Sequence, residues 1–390
     1  MRADWTYKRF DEVFDLQMGK TPDRKKPQFF EGDNVWVSIR DMVGKEIDNS
    51  NEHISDSAVA STNIRKVKKG TVIMSFKLTV GKCAIATRDL YTNEAIMAFN
   101  LKDGFNISPD FLYYYLLGYK WEGANKAVMG MTLNKATISQ HKIGYPHPSK
   151  QQSIVNELDQ INKLIGLKKS QLSCLDSLAQ SLFYDMFGDP VENDKGWVIK
   201  KMGEICTKIG SGATPRGGNE SYKNEGISLI RSMNVYNNVF WYKDLAFIDE
   251  KQADALSNVM VFSQDILLNI TGASVARCCI VPDDILPARV NQHVCIIRPK
   301  SIVDPVYLNY MLTNSSYQVH LLSLAKSKAA TREALPKSIV ENLRIPIPAL
   351  PLQQLYATRV SAIEKQKRMI SESIKDLETL LASRMQFWFD

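Results

Sequence analysis

The sequence lacks most of what marks an enzyme. Its five histidines (His53, His141, His147, His293, His320) are scattered, and its six cysteines (Cys83, Cys174, Cys206, Cys278, Cys279, Cys295) contain no C-x-x-C pair. Neither a zinc site nor a disulfide framework therefore has its expected spacing, and reduced, structural thiols are the reading that remains. No G-x-x-x-x-G-K-[ST], H-E-x-x-H, G-x-S-x-G or G-x-G-x-x-G occurs, nor the Asn/Asp-Pro-Pro-aromatic tetrapeptide with which amino-methyltransferases hold an extruded base. The adjacent acids Asp249-Glu250 and Asp283-Asp284 fall in turn-like stretches, where solvation and local capping explain them. No apolar run approaches the roughly 18 residues that span a bilayer, and the opening MRADWTYKRFDEV has no apolar signal-peptide core. A cytoplasmic protein is expected, with binding rather than catalysis as its work.

One stretch looks like an exception. DLQMGKTP, Asp15 to Pro22, ends as a P-loop does, but Phe14 stands where such a loop needs its first glycine. A second version, KIGSGATP (Lys208 to Pro215), keeps Gly212, Thr214 and Pro215 and replaces the lysine with Ala213. What recurs is a turn and a hydroxyl, which points to an internal repeat.

The repeat runs the length of the chain. Trp5 pairs with Trp197, Thr21-Pro22 with Thr214-Pro215, Ile39-Arg40 with Ile230-Arg231, Pro109-x-x-Leu112 with Pro305-x-x-Leu308, Lys142-Ile143 with Arg344-Ile345, and Gln151-Gln152 with Gln353-Gln354. The order is globular segment, helix, globular segment, helix, with boundaries at 1–150, 151–188, 189–351 and 352–390. In the globular segments, β-rich runs (Thr71 to Phe76, Cys83 to Thr87, Asp265 to Ile270, Val294 to Pro299) are bounded by Gly, Asp, Asn and Pro. Ser108-Pro109 and Asp304-Pro305 each open a helix whose tyrosines read as packing residues.

The intervening segments carry a heptad seam twice, in one phase. From Ile154 apolar residues step by four and three through Leu158, Ile161 and Ile165, then Lys168, then Leu172, Leu175, Ala179, Leu182 and Met186. The matching series is Tyr356, Val360, Ile363, Lys367, Ile370, Ile374, Leu377, Leu381, Arg384, Trp388. A fixed seven-residue period of this length predicts two long antiparallel coiled-coil helices related by a pseudo-twofold, with mixed α/β domains between them. Lys168 and Lys367 either set register or snorkel from the seam edge.

Formal net charge is +7. Residues 1–150 hold 22 Lys and Arg against 17 Asp and Glu, and residues 188–351 hold 18 against 16, whereas the helical segments are neutral. A mild surplus confined to the globular segments admits nucleic acid without requiring it.

The junctions KIGYPHPSKQQSIVNELDQI and RIPIPALPLQQLYATRVSAI, with the helix ends LDSLAQSLFYDMFGD and LETLLASRMQFWFD, resemble those of the specificity (S) subunits of type I restriction-modification systems. The first junction departs in reading Gly144-Tyr145-Pro146 where the second has Pro346-Ile347-Pro348. The resemblance implies an α+β chain with two target recognition domains, each reading half of a bipartite site in double-stranded DNA, and helices that fix the gap. It implies a non-catalytic subunit working with two modification (methyltransferase) subunits and with restriction (translocase/endonuclease) subunits. No cofactor is expected on this chain; S-adenosylmethionine and ATP with Mg²⁺ belong to those partners. The alternative is a coiled-coil scaffold that binds only protein; a nuclease or methyltransferase is a more distant third.

The resemblance also nominates DNA contacts: Lys20, Thr21, Thr214 and Arg216 at the paired turns, and Arg40 and Arg231 after a strand. Lys77, Lys82, Asn269, Thr271 and Arg277 lie in matching inter-strand loops, and Lys326, Lys328 and Arg332 in a basic small-residue loop. Arginine suits bidentate guanine or phosphate contact, and Asn269 and Thr271 suit base edges. Surface solvation, or a purely structural turn with Thr as a cap, accounts for the same residues equally well. Leu158, Ile161, Ile165, Leu172, Leu175, Val360, Ile363, Ile370, Ile374 and Leu377 are nominated for helix pairing.

Overall fold

The computed structural model describes residues 2–121, 125–127, 130–327 and 333–390. The chain divides into two compact units, Met1–Lys169 with Glu372–Asp390, and Ser170–Ser371. Each unit draws on both long helices, Pro148–Phe187 and Leu350–Phe389.

In the first unit, strand Thr6–Arg9 pairs antiparallel with Lys142–Tyr145 and leads into a five-stranded sheet. The sheet order is Phe14–Met18, Ile96–Leu101, Val72–Ser75, Cys83–Ala86, Glu46–Ile47. A smaller sheet sets Asn34–Val37 antiparallel to Glu52–Ile54 and parallel to Tyr91–Thr92. The central strands read as unbroken apolar runs because both faces are covered: Val72, Met74, Met97 and Phe99 face one cluster, Ile73, Ala84, Ile96 and Ala98 another.

The second unit repeats this plan. Val198–Lys201 pairs with Arg344–Ile347, and the sheet runs Cys206–Ser211, Val294–Pro299, Ile266–Asn269, Cys278–Ile280. Ile227–Ile230 lies antiparallel to Ala246–Ile248 and parallel to Ala288–Val290. The departure at the first junction has a local cause. Gly144 lies opposite Tyr7, and a Cβ there would come within 2.5 Å of the tyrosine ring, whereas its counterpart Pro346 faces the smaller Ile199.

The domain helices Pro109–Gly118 and Pro305–Thr313 start on Ser108 and Asp304, whose side chains accept from the backbone of the first turn. Their tyrosines are packing residues: Tyr114, Tyr115, Tyr307 and Tyr310 are all buried. Tyr310 donates to Glu364 at 2.9 Å and Tyr114 to Asp159 at 2.5 Å, each on a long helix. Burial, reinforced by these carboxylates, pushes both phenols well above their ordinary range.

Each long helix is tied to its unit by one buried carboxamide. Gln151 accepts from Ser108 N at 3.0 Å and donates to the Pro146 carbonyl at 3.0 Å. Gln353 accepts from Asp304 N at 2.9 Å and donates to the Pro348 carbonyl at 2.8 Å.

The seam is where the period places it. Leu158, Ile161, Ile165, Val360, Ile363, Ile370 and Ile374 are buried, and Leu172, Leu175 and Leu377 half-buried. In the first unit Glu157 meets Arg384 and Trp388, and Lys169 meets Glu378 at 2.9 Å, so the helices run antiparallel. Within the second unit Asp176 meets Lys367 at 2.7 Å and Tyr356 donates to the Ala179 carbonyl at 3.2 Å, in the same sense. The two seam lysines differ. Burial opposes the charge on Lys367, but its bonds to Asp176 and Glu364 outweigh it and hold the ammonium above its ordinary value. Lys168 is half-exposed and, among the described residues, makes no ion pair.

Five of the six cysteines are buried free thiols, Cys174 being exposed. Among the described residues no helix is long and apolar enough to cross a membrane.

Two outcomes are expected. Gln353→Leu leaves the Asp304 N–H and the Pro348 carbonyl unpaired and lowers the second unit's stability by roughly 2–4 kcal/mol, read by chemical denaturation. The hydrogen bond from Arg384 holds the Glu157 carboxyl below its ordinary range. A carboxylate with a depressed folded pKa contributes stability above its unfolded value and loses it as pH falls through the folded one. Acid titration of the melting temperature should therefore fall less steeply for Glu157→Gln than for the wild type.

Candidate nucleic-acid interface

In the first unit four loops meet at one end of the five-stranded sheet. They are the turn Gly19–Pro22, the 3₁₀ turn Ile39–Asp41, the loop 76–82 and the segment 93–95. Backbone bonds fix them together: Gly19 N to Ile96 O at 3.2 Å, Lys20 N to Thr92 O at 2.9 Å and Phe76 N to Ala95 O at 2.9 Å. The second unit builds the same cluster from 212–216, 231–234, 270–277 and 291–293, with Gly212 N to Asn291 O at 3.1 Å and Ile270 N to His293 O at 2.9 Å.

The repeated glycine-threonine turn now has a mechanical explanation. A Cβ on Gly19 would lie 2.1 Å from the Thr92 carbonyl oxygen, and one on Gly212 1.8 Å from that of Val290. Thr92 and Val290 are equivalent, since each ends the strand parallel to Asn34–Val37 or Ile227–Ile230. Only glycine allows the approach. The threonines close the turns: Thr21 donates to Glu94 and Thr214 to Gln292. Lys20 reaches back to the carbonyls of Thr62 and Asn63 at 2.8 and 3.2 Å, whereas Arg216 is exposed. Glu94 and Gln292, which sequence reasoning missed, do the same work in the two units.

The two inter-strand loops match end to end. Ser75 N bonds Lys82 O at 2.8 Å and Asn269 N bonds Arg277 O at 2.8 Å, with Gly81 and Ala276 both at positive φ. Lys82 and Arg277 are thus counterparts, and they are used differently. Lys82 donates to the Ile39 carbonyl at 3.0 Å, while Arg277 lies 4.5 Å from the centroid of the Tyr236 ring. Lys77, expected in a loop, instead lies on the short strand Lys77–Leu78, which pairs antiparallel with Gly130–Thr132, and is half-exposed against Phe76. Thr271 shares a 2.6 Å bond with His293 Nδ1.

Several expectations change. Asn269 is fully buried, its amide donating to the Ser232 carbonyl at 2.8 Å, so it braces the loop and does not face a base edge. Arg40 and Arg231 do not occupy matching places. Ser38 N bonds the Asp41 carboxylate and Arg231 N bonds Asn234 Oδ1, so Ser38 is the counterpart of Arg231 and Arg40 falls opposite Met233. Sequence pairing of Ile-Arg dipeptides misaligned the strand by two residues. Arg231 is half-buried, donating to the Asp244 carbonyl and lying 5.3 Å from the Tyr222 ring centroid. Arg40 is the freer cation: its side chain is 82% exposed, 4.0 Å from Glu52. Arg24 already engages Glu52 and holds that carboxyl below its usual range. Lys326 is exposed, 3.9 Å from Glu333, and Lys328 and Arg332 lie outside the described residues.

Sequence reasoning also missed a hairpin in the second unit, Val235–Tyr236 with Val239–Phe240. Its signal was present as an Asn-Asn pair between β-forming residues in VYNNVFWY. Tyr236 and Trp241 stand exposed beside Arg277. In both units the arrangement is a rigid platform that presents cations, hydroxyls and carboxamides from loops, which suits contact with phosphates and base edges.

The family model described as the type I restriction modification DNA specificity domain matches residues 2–175 and again 194–379. The chain is 27% identical over 403 residues to the type I restriction enzyme MjaIX specificity subunit of Methanocaldococcus jannaschii, covering 96% of this chain and 91% of that protein. It is 24% identical over 306 residues to the putative MjaX specificity subunit of the same organism, covering 70% and 67%. Its fold is similar to that of the S subunit of the type I restriction-modification system from M. genitalium, with a TM-score of 0.55 at 14% identity over 98% of this chain and 95% of that one. It is also similar to a chain from a structural study of complex assembly and conformational transition of the type I R-M system, with a TM-score of 0.63 at 17% identity over 100% and 98%.

The turn geometry makes a paired prediction. Gly212→Ala should cost about 3 kcal/mol, at the upper end for overpacking. Ala213→Lys, at an exposed position filled by Lys20 in the other unit, should change stability by less than about 0.5 kcal/mol. Denaturation midpoints of the two variants check this.

Proposed function

The chain belongs to the type I restriction modification DNA specificity family, and from that premise we propose that it is the sequence-reading, non-catalytic subunit of a type I restriction-modification complex. Each unit reads one half of a bipartite site in double-stranded DNA through its loop cluster. The observation that carries this is the duplication itself. One scaffold is built twice with the same glycine approach, threonine tie and glutamine clamp, yet the loops carry different side chains. Identical frames bearing different contact residues suit two different half-sites.

The long helices set the gap between the half-sites by a fixed register along the seam. Their outward faces carry exposed apolar residues, Leu167 at 58% and Met369 at 62%, a chemistry that suits docking of two modification subunits. S-adenosylmethionine chemistry belongs to those subunits, and ATP with Mg²⁺ to the restriction subunits.

Genome-wide adenine methylation of the host, read by single-molecule sequencing with and without this gene, tests the reading. Loss of methylation at one motif, two short half-sites flanking a fixed gap, is the expected result. An unchanged pattern in a host whose modification subunit is active would sink it. In vitro, Arg40→Ala should weaken DNA binding and reduce the slope of log K against log salt by about one, as a single lost phosphate contact does.

A further inference from the structure

The two loop clusters differ most at one place. In the second unit the hairpin bounds an open cavity of about 540 Å³, lined by Tyr236, Asn237, Val239, Trp241 and Arg277. Tyr236, Val239 and Trp241 are 41%, 45% and 49% exposed, and the two aromatic rings lie 6.1 Å apart. The lining contains one cation and no carboxylate.

The cavity is built rather than incidental. Asn238, at φ 60°, turns the hairpin, and its Oδ1 accepts from Asn309 at 2.7 Å and Thr313 at 3.0 Å, both buried on the domain helix. Its own N–H bonds the Cys278 carbonyl at 2.9 Å. Buried Asn234 closes the base by donating to the Trp241 carbonyl at 2.9 Å. The exposed rings are therefore held by buried polar anchors, which removes most of the ordering cost of binding. Among the described residues the first unit has no hairpin at this position: its chain runs from Met42 into strand Glu46–Ile47, and Lys82, the counterpart of Arg277, is bound to the Ile39 carbonyl.

Building on the DNA-reading function, we propose that this aromatic–arginine cavity is a base-contact site of the second unit. One base of its half-site packs against Tyr236 and Trp241, and Arg277, positioned over Tyr236, supplies charge-assisted hydrogen bonds to the same step. Aromatic faces hold bases whatever their edges, and an arginine over a ring presents its fork to guanine or phosphate. A net positive, acid-free lining favours an anionic partner over a basic surface, and the exposed aromatic rings favour bases within it.

The test uses the complex with its modification subunits and the methylated motif as readout, comparing wild type with Tyr236→Ala/Trp241→Ala and with Arg277→Gln. The expected result is that one half-site and the gap are retained in both variants, while affinity for the other half-site falls about tenfold or more in Tyr236→Ala/Trp241→Ala and one of its positions becomes degenerate in Arg277→Gln. Arg277→Gln leaves the hairpin's backbone bonds in place, so it reads the same question should the double variant lose structure. A wild-type motif that both variants reproduce at unchanged affinity overturns the cavity's role alone, as does equal relaxation of both halves. A wild-type complex that methylates no bipartite motif overturns the DNA-reading function and this role with it.

Discussion

A buried glutamine holds each half of this protein together. Gln151 and Gln353 sit in the first turn of a long helix, where the chain has just left a strand. Each side chain joins the strand-to-helix junction to the N-terminus of the domain helix, through one accepted and at least one donated bond. A carboxamide is suited to this because it donates and accepts from one planar group. Burial makes the arrangement stringent, since any loss leaves polar groups without water. The direction of each long helix relative to its own sheet follows from this clamp.

Around it the energetics divide between frame and surface. The frame is apolar: unbroken strand runs packed on both faces, a heptad seam, and aromatic clusters that close around Trp388 in the first unit and Tyr356 in the second. Polar groups within the frame are paired across elements, as with Tyr310 on Glu364 and Lys367 between Asp176 and Glu364. The loop clusters need only meet the frame's steric rules, glycine at Gly19 and Gly212 and a closing hydroxyl two residues on. Everything else on them is free to differ, which is how one fold serves two recognition surfaces.

That division also explains which nominated residues remain exposed and which are taken up by the frame. Arg40 and Arg216 are exposed and Arg277 is half-exposed over Tyr236, so all three reach solvent. Asn269, equally plausible as a type of residue, is fully buried with its amide donating to the Ser232 and Val235 carbonyls. Arg231 is drawn down against Tyr222 and the Asp244 carbonyl. Burial alone separates an exposed side chain from a brace for the loop.

Sequence by itself determined the repeat, the seam and the sheet strands, because these rest on periodicity. A seven-residue apolar step in one phase twice leaves few alternatives to paired helices, and apolar runs between turn residues leave few to buried strands. It also carried the junction glutamines as a matched pair without their purpose, since the partners Ser108 and Asp304 lie 43 and 49 residues away. Tertiary structure alone decided depth and partner. It shifted Arg40 by two positions from Arg231, buried Asn269, tied Thr21 and Thr214 to Glu94 and Gln292, and raised Tyr236 and Trp241 beside Arg277. Those outcomes depend on contacts between loops distant in the chain, and no local pattern encodes how far a side chain stands from water.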